Sequence, residues 1–347
     1  MSAEWKQRPE GGGLFALGLI RGIARHGGRG VARLLLYPIT LYFLLRRAPE
    51  RNASRAWLGR VLGKPASLWH VARHIHTFAA TILDRVFLLS GQLRQFDIRV
   101  QGAPDLFATL ASGQGLLLFG SHLGSFEVLR VLSRERPDIK VRVVLDVGHN
   151  PAMSQLLDAL NPEIAATVID AGQSGPVIML EIQQAIAEGA VVTLLVDRVH
   201  ASQGWLPVPF LGRDAPLPTA PWLIASVLGV PVMLAFGLYQ GGKRYDLTFE
   251  TFDMGGRVPR AERASRMRDM VGRYAARLEH HARNAPYNWF NFFDFWELPD
   301  AVNSPSVQRE AAPARTPECS VEPAGTPVAI GHGVEPGPGQ HHPAGRA

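Results

Sequence analysis

Short apolar runs alternate with longer stretches of helical spacing through the middle of the chain. The apolar runs have the length of strands, and they cover residues 96–100, 115–119, 140–145, 166–169 and 191–196. Apolar positions three and four apart predict helices between them, at residues 126–136, 153–161 and 176–188. Strands that alternate with helices in this way predict an α/β fold, with a mostly parallel central sheet flanked by helices.

The N-terminal part of the chain is apolar but is repeatedly interrupted by charge. Within residues 14–45 the interruptions are Arg21, Arg25, Arg29 and Arg33. The longest run without charge, residues 34–45, has 12 residues, whereas a helix that spans a bilayer needs about 18. The pattern therefore predicts a helical segment that lies in a membrane surface. A short transmembrane helix and a helix packed on the protein's own core are the alternatives.

Charge is concentrated at the N-terminal end. Residues 1–64 carry 12 Lys and Arg against 3 Glu, a net charge of +9, which leaves −3 for the rest of a chain whose net charge is +6. Anionic lipid headgroups attract such a segment by about 1 kcal/mol for each charge near the surface. The same field would steer an acidic protein partner toward this segment. No recognition motif for nucleic acid accompanies the charge, so we expect no nucleic-acid partner.

Changes in composition predict the limits of the domains. Residues 1–64 form the predicted membrane-associating segment, and residues 65–300 form the predicted catalytic domain. Residues 301–347 are rich in Pro, Gly, Ala and His and are predicted to be disordered. The single cysteine, Cys319, lies in this tail, so the chain has no intrachain disulfide and no cysteine-based metal cage.

A long helix predicted at residues 66–95 carries three histidines. His70 and His74 are four residues apart and share one helical face, with His76 nearby, which is a spacing that can hold zinc. Neither a cysteine nor an acidic residue completes that ligand set locally. We therefore expect a polar cleft or a solvated helix face here, with no metal and no other cofactor.

The sequence with the clearest chemical content is the segment 115–127, which reads GLLLFGSHLGSFE. A buried strand leads into a turn at His122, and a helix is predicted to begin at Gly124 and Ser125. Residues five apart on a helix lie about 140° apart, so His122 must occupy the turn if Glu127 is to reach it. We predict that Glu127 orients His122 as a general base and that the N–H groups of Gly124 and Ser125 stabilise an oxyanion. A chance pairing of His and Glu is the alternative.

A second charged pair follows the strand predicted at residues 191–196. Asp197 and Arg198 form an ordinary ion pair at the end of a strand in one interpretation. In the functional interpretation, Arg198 binds a phosphate, a carboxylate or a thioester oxygen of the substrate.

Four blocks occur in the order of the lysophospholipid acyltransferase superfamily. They are GSHLGSFE at residues 120–127, VDR at residues 196–198, VPFLG at residues 208–212 and the Pro-containing apolar run at residues 229–235. The Glu of the first block is similar to that of the late lipid A acyltransferases, which transfer lauroyl and myristoyl groups. The resemblance implies acyl transfer from a thioester, on acyl carrier protein or coenzyme A, to a hydroxyl of a lipid or glycolipid acceptor. It also implies a location on the cytoplasmic face of the inner membrane, either peripheral or anchored by one segment.

The C-terminal part of the predicted domain departs from that branch. A basic amphipathic helix at residues 260–283 leads into the aromatic run PYNWFNFFDFW at residues 286–296. Late lipid A acyltransferases have a basic segment here, whereas this chain has Asn291 and Asp294 among aromatic residues. The run resembles acyltransferases of aryl polyene and xanthomonadin pigment pathways, and a packed aromatic strand or lid is the structural alternative. An esterase or thioesterase and a non-catalytic lipid-binding scaffold are the competing functions.

Overall fold

The computed structural model describes residues 28–129, 136, 138–148, 151–160, 162–199, 204–256 and 259–298. These residues belong to one compact unit of the chain. The predicted tail, with Cys319, lies outside the described residues, as do residues 1–27 and most of the second half of the helix predicted at residues 126–136.

Helices and strands alternate through the described chain. The helices are α1 (Leu36–Arg46), α2 (Ala48–Val61), α3 (Leu68–Leu89), α4 (Ala103–Ala111), α5 (Pro151–Leu160), α6 (Pro162–Ala165), α7 (Gly175–Ala187), α8 (Ala220–Leu228) and α9 (Arg263–Asn284). The strands are β1 (Asp97–Gln101), β2 (Leu116–Gly120), β3 (Val141–Leu145), β4 (Ile169–Asp170), β5 (Val191–Leu195), β6 (Trp205–Phe210), β7 (Arg213–Pro218), β8 (Val232–Gly241) and β9 (Arg244–Phe252).

Seven strands form the central sheet, in the order β1-β9-β8-β2-β5-β3-β4. Strands β8, β2, β5, β3 and β4 run parallel to one another. Strand β9 is antiparallel to β8 and parallel to β1, so these two strands form an antiparallel margin of the sheet. The predicted α/β fold with a mostly parallel sheet and flanking helices is confirmed.

The middle of the sheet is buried on both faces. Every residue of β2 is buried, and Leu117 and Phe119 belong to one hydrophobic cluster whereas Leu116 and Leu118 belong to another. Successive side chains of a strand point to opposite faces, so layers of helices cover both sides of β2. This double burial is the reason that the strand reads in the sequence as a continuous apolar run.

The first described helices pack on α3. Arg29 pairs with Asp84 near the end of α3, whereas Thr40 hydrogen-bonds His76 nearer its beginning, so α1 and α3 run antiparallel. Within the part of the chain that the structure describes, no helix is both long and apolar enough to cross a membrane.

Strands β6 and β7 form a separate antiparallel hairpin. The VPFLG block lies in this hairpin, and Phe210 packs among Trp57, Trp289 and Trp296 with ring centroids 5.6–6.2 Å apart. The block therefore packs against the C-terminal aromatic run, which the sequence placed about 80 residues further along.

Candidate active site

His122 lies just beyond the carboxyl end of β2, where β5 also ends. Parallel strands that end together place their following loops side by side, and such sheet edges commonly hold active sites. Asp197 follows β5 and therefore lies next to His122, although the two residues are 75 positions apart in the chain.

The two side chains form a directed hydrogen bond. Nδ1 of His122 lies 2.8 Å from Oδ1 of Asp197, a carboxylate that is fully buried. Because the carboxylate accepts, the proton is on Nδ1, and Nε2 of the neutral ring carries a lone pair. The His122 side chain is 21 % exposed, and no described residue hydrogen-bonds its Nε2. The arrangement is that of an oriented base.

Asp197 is ionised although its carboxyl group is buried. Burial by itself raises the pKa of Asp197, but the charge and hydrogen bond of His122, together with Arg198 and Asn291, bring it down to about 2. Asp197 is therefore ionised at neutral pH and stabilises a positive charge on His122 when the ring takes up a proton.

The predicted contact between Glu127 and His122 is wrong. Glu127 lies in a short 3₁₀ helix, Phe126–Leu129, and its carboxylate accepts a hydrogen bond from the Ser125 hydroxyl at 2.8 Å and pairs with Arg85 of α3 at 2.5 Å. The chain turns after His122 in such a way that Asp197, and not Glu127, receives the Nδ1 proton. Glu127 instead ties the turn to α3.

The predicted oxyanion donors are also occupied. The N–H of Gly124 donates to the carbonyl of Asn288, and the N–H of Ser125 donates to the carbonyl of Gly237, each at 2.8 Å. These two bonds fix the turn close to β8. The approach is close enough to require glycine, because a Cβ on Gly124 would lie 2.2 Å from the Gly237 carbonyl oxygen. Both amides serve the fold and are unavailable to a substrate oxygen in this conformation.

A family match agrees with this geometry. The profile described as bacterial lipid A biosynthesis acyltransferase matches residues 72–297, well over half of the chain, and the range includes His122, Asp197 and the C-terminal aromatic run. The chain belongs to this family. It is therefore an acyltransferase that uses an acyl donor and acts on a lipid. No individual curated protein matches the chain.

Residues 288–291 of the acyltransferase form the third side of the site. The N–H of Phe290 donates to the His122 carbonyl at 2.8 Å, and the Asn288 side chain binds both the N–H and the carbonyl of Tyr239 in β8. Trp289 stacks on Trp57 with centroids 4.5 Å apart. The aromatic run is thus a packed wall of the active site, and its polar residues hold it to the sheet.

Asn291 is the site residue whose position sequence reasoning missed. Its Nδ2 donates to Oδ2 of Asp197 at 3.0 Å, and its Oδ1 accepts from Nε of Arg198 at 2.6 Å. Arg198 also donates to the Phe290 carbonyl at 3.3 Å, so the predicted Asp197 and Arg198 do lie beside His122. The signal in the sequence was a pair of amides, Asn288 and Asn291, among the aromatic residues of the run, and the sequence did not show that Asn291 reaches Asp197 whereas Asn288 binds β8.

The three histidines of α3 do not converge. His70 is hydrogen-bonded to Ser67 at the start of the helix, and His76 to Thr40. His74 is fully buried, and its Nε2 donates to the Trp289 carbonyl at 2.5 Å while Nδ1 accepts from Ser54 at 2.8 Å. Burial lowers the pKa of His74 to about 4, against a smaller opposing effect of the Trp289 hydrogen bond, so the ring is neutral and supports the wall of the site.

Proposed function

We propose that this acyltransferase moves a fatty or aryl polyene acyl group from a thioester donor, preferably acyl carrier protein, to a hydroxyl group of a lipid or glycolipid acceptor. The observation that carries the proposal is the His122–Asp197 pair, which uses Nδ1 of a partly exposed ring and leaves Nε2 without a hydrogen-bond partner among the described residues. A direct transfer needs one positioned base and no covalent enzyme intermediate.

The proposed reaction runs through a single tetrahedral intermediate. Nε2 of His122 takes the proton of the acceptor hydroxyl while its oxygen attacks the thioester carbonyl carbon. Asp197 stabilises the imidazolium that forms. Collapse of the intermediate breaks the carbon–sulfur bond, and the departing thiolate takes the proton back from Nε2, which regenerates the neutral base.

Features around the pair support an amphiphilic substrate. The half-buried rings of Phe78, Phe290 and Phe292 form one cluster, in which the Phe78 centroid lies 5.3 Å from that of Phe290 and 5.1 Å from that of Phe292. The N–H of Phe290 donates to the His122 carbonyl, which joins this cluster to the site. The three rings offer an apolar, flat surface to an acyl chain. The guanidinium of Arg198 lies on the other side of Asn291 and supplies the charge that we assign to binding of a phosphate, a carboxylate or the thioester oxygen.

We also propose that the enzyme works at the cytoplasmic face of the inner membrane. Helix α1 and the residues just before it expose a stripe of large apolar side chains, namely Leu34, Tyr37, Leu41 and Leu45. Leu68 and Trp69 are exposed at the start of α3, which is the end of the antiparallel helix pair that also holds Leu45. Because α3 continues to Phe78 beside the active site, docking of these helices on lipid brings the site close to an acceptor in the membrane.

An acyl-transfer assay tests the proposal. Labelled acyl carrier protein and a membrane lipid extract are incubated with purified wild type or with His122→Ala, and the products are analysed as lipid and as free acid. We expect an acylated lipid with wild type and a rate at least about 100-fold lower with His122→Ala, because a positioned base contributes about that factor or more. The exposed His280 of α9 provides the matched control, His280→Ala, which should react as the wild type does.

The other outcomes have distinct meanings. Release of free acid without acylated lipid indicates a thioesterase. Transfer from acyl-coenzyme A but not from acyl carrier protein would show that coenzyme A is the donor. Equal activity of wild type and His122→Ala would overturn the assignment of the base.

A further inference from the structure

Asn291 joins two charged groups that the proposed mechanism uses. It lies within hydrogen-bonding distance of both the Asp197 carboxylate and the Arg198 guanidinium, and it is 2 % exposed. The hydrogen bonds also assign the orientation of its amide. Nδ2 must face the carboxylate, which only accepts, and Oδ1 must face the guanidinium, which only donates.

Among the described residues, each oxygen of the Asp197 carboxylate has one hydrogen-bond partner. Oδ1 accepts a hydrogen bond from Nδ1 of His122, and Oδ2 accepts one from Nδ2 of Asn291. A carboxylate held at both oxygens cannot rotate about its terminal bond without breaking a hydrogen bond in a buried site, which is costly. The two hydrogen bonds therefore fix the plane of the carboxylate and, with it, the direction of the His122 ring.

We infer that Asn291 is a positioning residue of the transfer reaction: its amide holds the Asp197 carboxylate in the plane that accepts the Nδ1 proton of His122, and it fixes Arg198 beside the same site. This inference rests on the proposed role of His122 as the base. It also gives the aromatic run a part in the transfer reaction, because Asn291 belongs to that run and bonds the carboxylate that orients His122.

The chain offers a matched control three residues away. Asn288 is also a buried asparagine of the same segment, but its amide binds the backbone of Tyr239 and touches neither Asp197 nor His122. Replacement of either asparagine by leucine removes two hydrogen bonds from the same wall. A difference between Asn291→Leu and Asn288→Leu in the reaction therefore reports on the carboxylate and not on stability alone.

Two substitutions at position 291 give opposite expectations. Asn291→Leu keeps the bulk and removes both hydrogen bonds, so we expect kcat to fall about 10- to 100-fold, with KM changed less than about threefold. Asn291→Asp places two carboxyl groups side by side, which share a proton until the pH exceeds a raised pKa. While that proton is present, the new carboxyl group can donate to Asp197 and accept from Arg198 as the amide does.

The test is the pH dependence of kcat for wild type, Asn291→Asp, Asn291→Leu and Asn288→Leu, measured from about pH 6 to about pH 9. We expect the ratio of Asn291→Asp to wild type to be highest at low pH and to fall as pH rises, whereas the ratio for Asn291→Leu stays low throughout. Asn288→Leu disturbs the wall but leaves both hydrogen bonds of the Asp197 carboxylate in place, so it should lose less kcat than Asn291→Leu and keep the shape of the wild-type pH profile. An Asn291→Asp ratio that is constant over this range, or an Asn291→Leu enzyme that matches Asn288→Leu, would overturn the inference.

A second readout does not depend on turnover. The Nδ1 proton of His122 can be observed by NMR on histidine-labelled full-length protein and assigned by its loss in His122→Gln. It should be protected from exchange in wild type and in Asn288→Leu, and lost in Asn291→Leu; an unchanged signal in Asn291→Leu would contradict the positioning role. If the wild type transfers no acyl group, the proposed function fails, and this signal still decides the part played by Asn291.

Discussion

The contacts of two carboxylates, Asp197 and Glu127, differ most from those that the sequence predicts. The His-x4-Glu spacing suggested that Glu127 orients His122, whereas Asp197 occupies that position and Glu127 pairs with Arg85 and Ser125. The distinction has a chemical consequence. A carboxylate that accepts a hydrogen bond from Nδ1 sets the tautomer whose Nε2 carries a lone pair, so the proposed base depends on Asp197.

Asp197→Asn tests that dependence. The amide at this position can donate to Nδ1, which favours the tautomer with its proton on Nε2, and we expect kcat to fall at least about 100-fold. The measurement is kcat with carrier-protein donor, together with the His122 tautomer from ring-nitrogen chemical shifts.

Glu127→Gln is the comparison variant for the two carboxylates. It should keep the proton on Nδ1, since Asp197 is unchanged, although its contact with Arg85 is weakened. If Glu127→Gln inverts the tautomer and Asp197→Asn does not, the assignment of the two carboxylates is wrong.

Among the elements, the site depends on a loop, a strand and a helix that meet around residues 288–291. The turn after β2 hydrogen-bonds to Asn288 and to Gly237 of β8, while His74 of α3 donates to the Trp289 carbonyl. The contact with α3 passes through a buried imidazole with two hydrogen-bond partners. Packing of the wall is therefore sensitive to the protonation of His74.

The stability of the wall should depend on pH through His74. Its pKa is lowered to about 4 in the folded protein, against about 6.5 for an exposed histidine. Below pH 6.5, His74 binds a proton in the unfolded chain, whereas in the folded protein it stays neutral until about pH 4. The contribution of His74 to the free energy of unfolding therefore falls by about 3 kcal/mol as the pH is lowered through this window, and it is constant above pH 6.5. Urea unfolding at several pH values, for wild type and His74→Gln, measures the contribution.

The comparison of the two proteins isolates His74, because the other titrating groups are common to both. His74→Gln should be less stable at pH 7, by about 1–3 kcal/mol, since a buried hydrogen-bonded group is replaced. Its stability should decline less than that of wild type between pH 6.5 and pH 4. Parallel curves for the two proteins would contradict a neutral, buried His74.

For the molecule as a whole, the distribution of exposed apolar and basic groups defines one side. The exposed stripe of α1 and the exposed Leu68 and Trp69 of α3 belong to two antiparallel helices, of which α3 also contacts residues 289–292 through His74 and Phe78. Residues 28–64 contain eight Lys and Arg against the single Glu50, and of these Arg46, Arg55 and Lys64 are exposed. Apolar side chains beside basic ones favour an anionic bilayer, since lipid tails bury the former and headgroups attract the latter.

A double substitution in α1 tests this side of the molecule. Leu41 and Leu45 are 55 % and 69 % exposed, so L41E/L45E should leave the fold intact while lowering the partition of the full chain into anionic vesicles by about tenfold or more. The measurement is flotation with vesicles that contain phosphatidylglycerol. The control is Leu180→Glu in α7, at a leucine that is 64 % exposed and distant in sequence from α1. Equal flotation of L41E/L45E and wild type would exclude α1 as the docking face.

The sequence by itself determined the strands β1, β2, β3 and β5 of the sheet, the position of His122 at the end of β2, and the presence of Asp197 and Arg198 at the end of β5. Strand β9 was not predicted. The predicted features follow from local periodicity, because a strand buried on both faces must be apolar throughout and a sheet edge carries the polar residues that come next. Spacing within one segment is also what suggested the pairing of His122 with Glu127 and the role of the Gly124 and Ser125 amides.

Only the tertiary structure decided which groups meet. Asp197 is 75 residues from His122, and Asn291 is 94 residues from Asp197, so no local pattern relates them. The amides of Gly124 and Ser125 were predicted to be free because a helix start has unpaired N–H groups, but β8 and residues 288–291 supply carbonyls to both. Hydrogen-bond partners in a buried site are chosen by the strand order and by the packing of distant segments, and a single stretch of sequence contains neither.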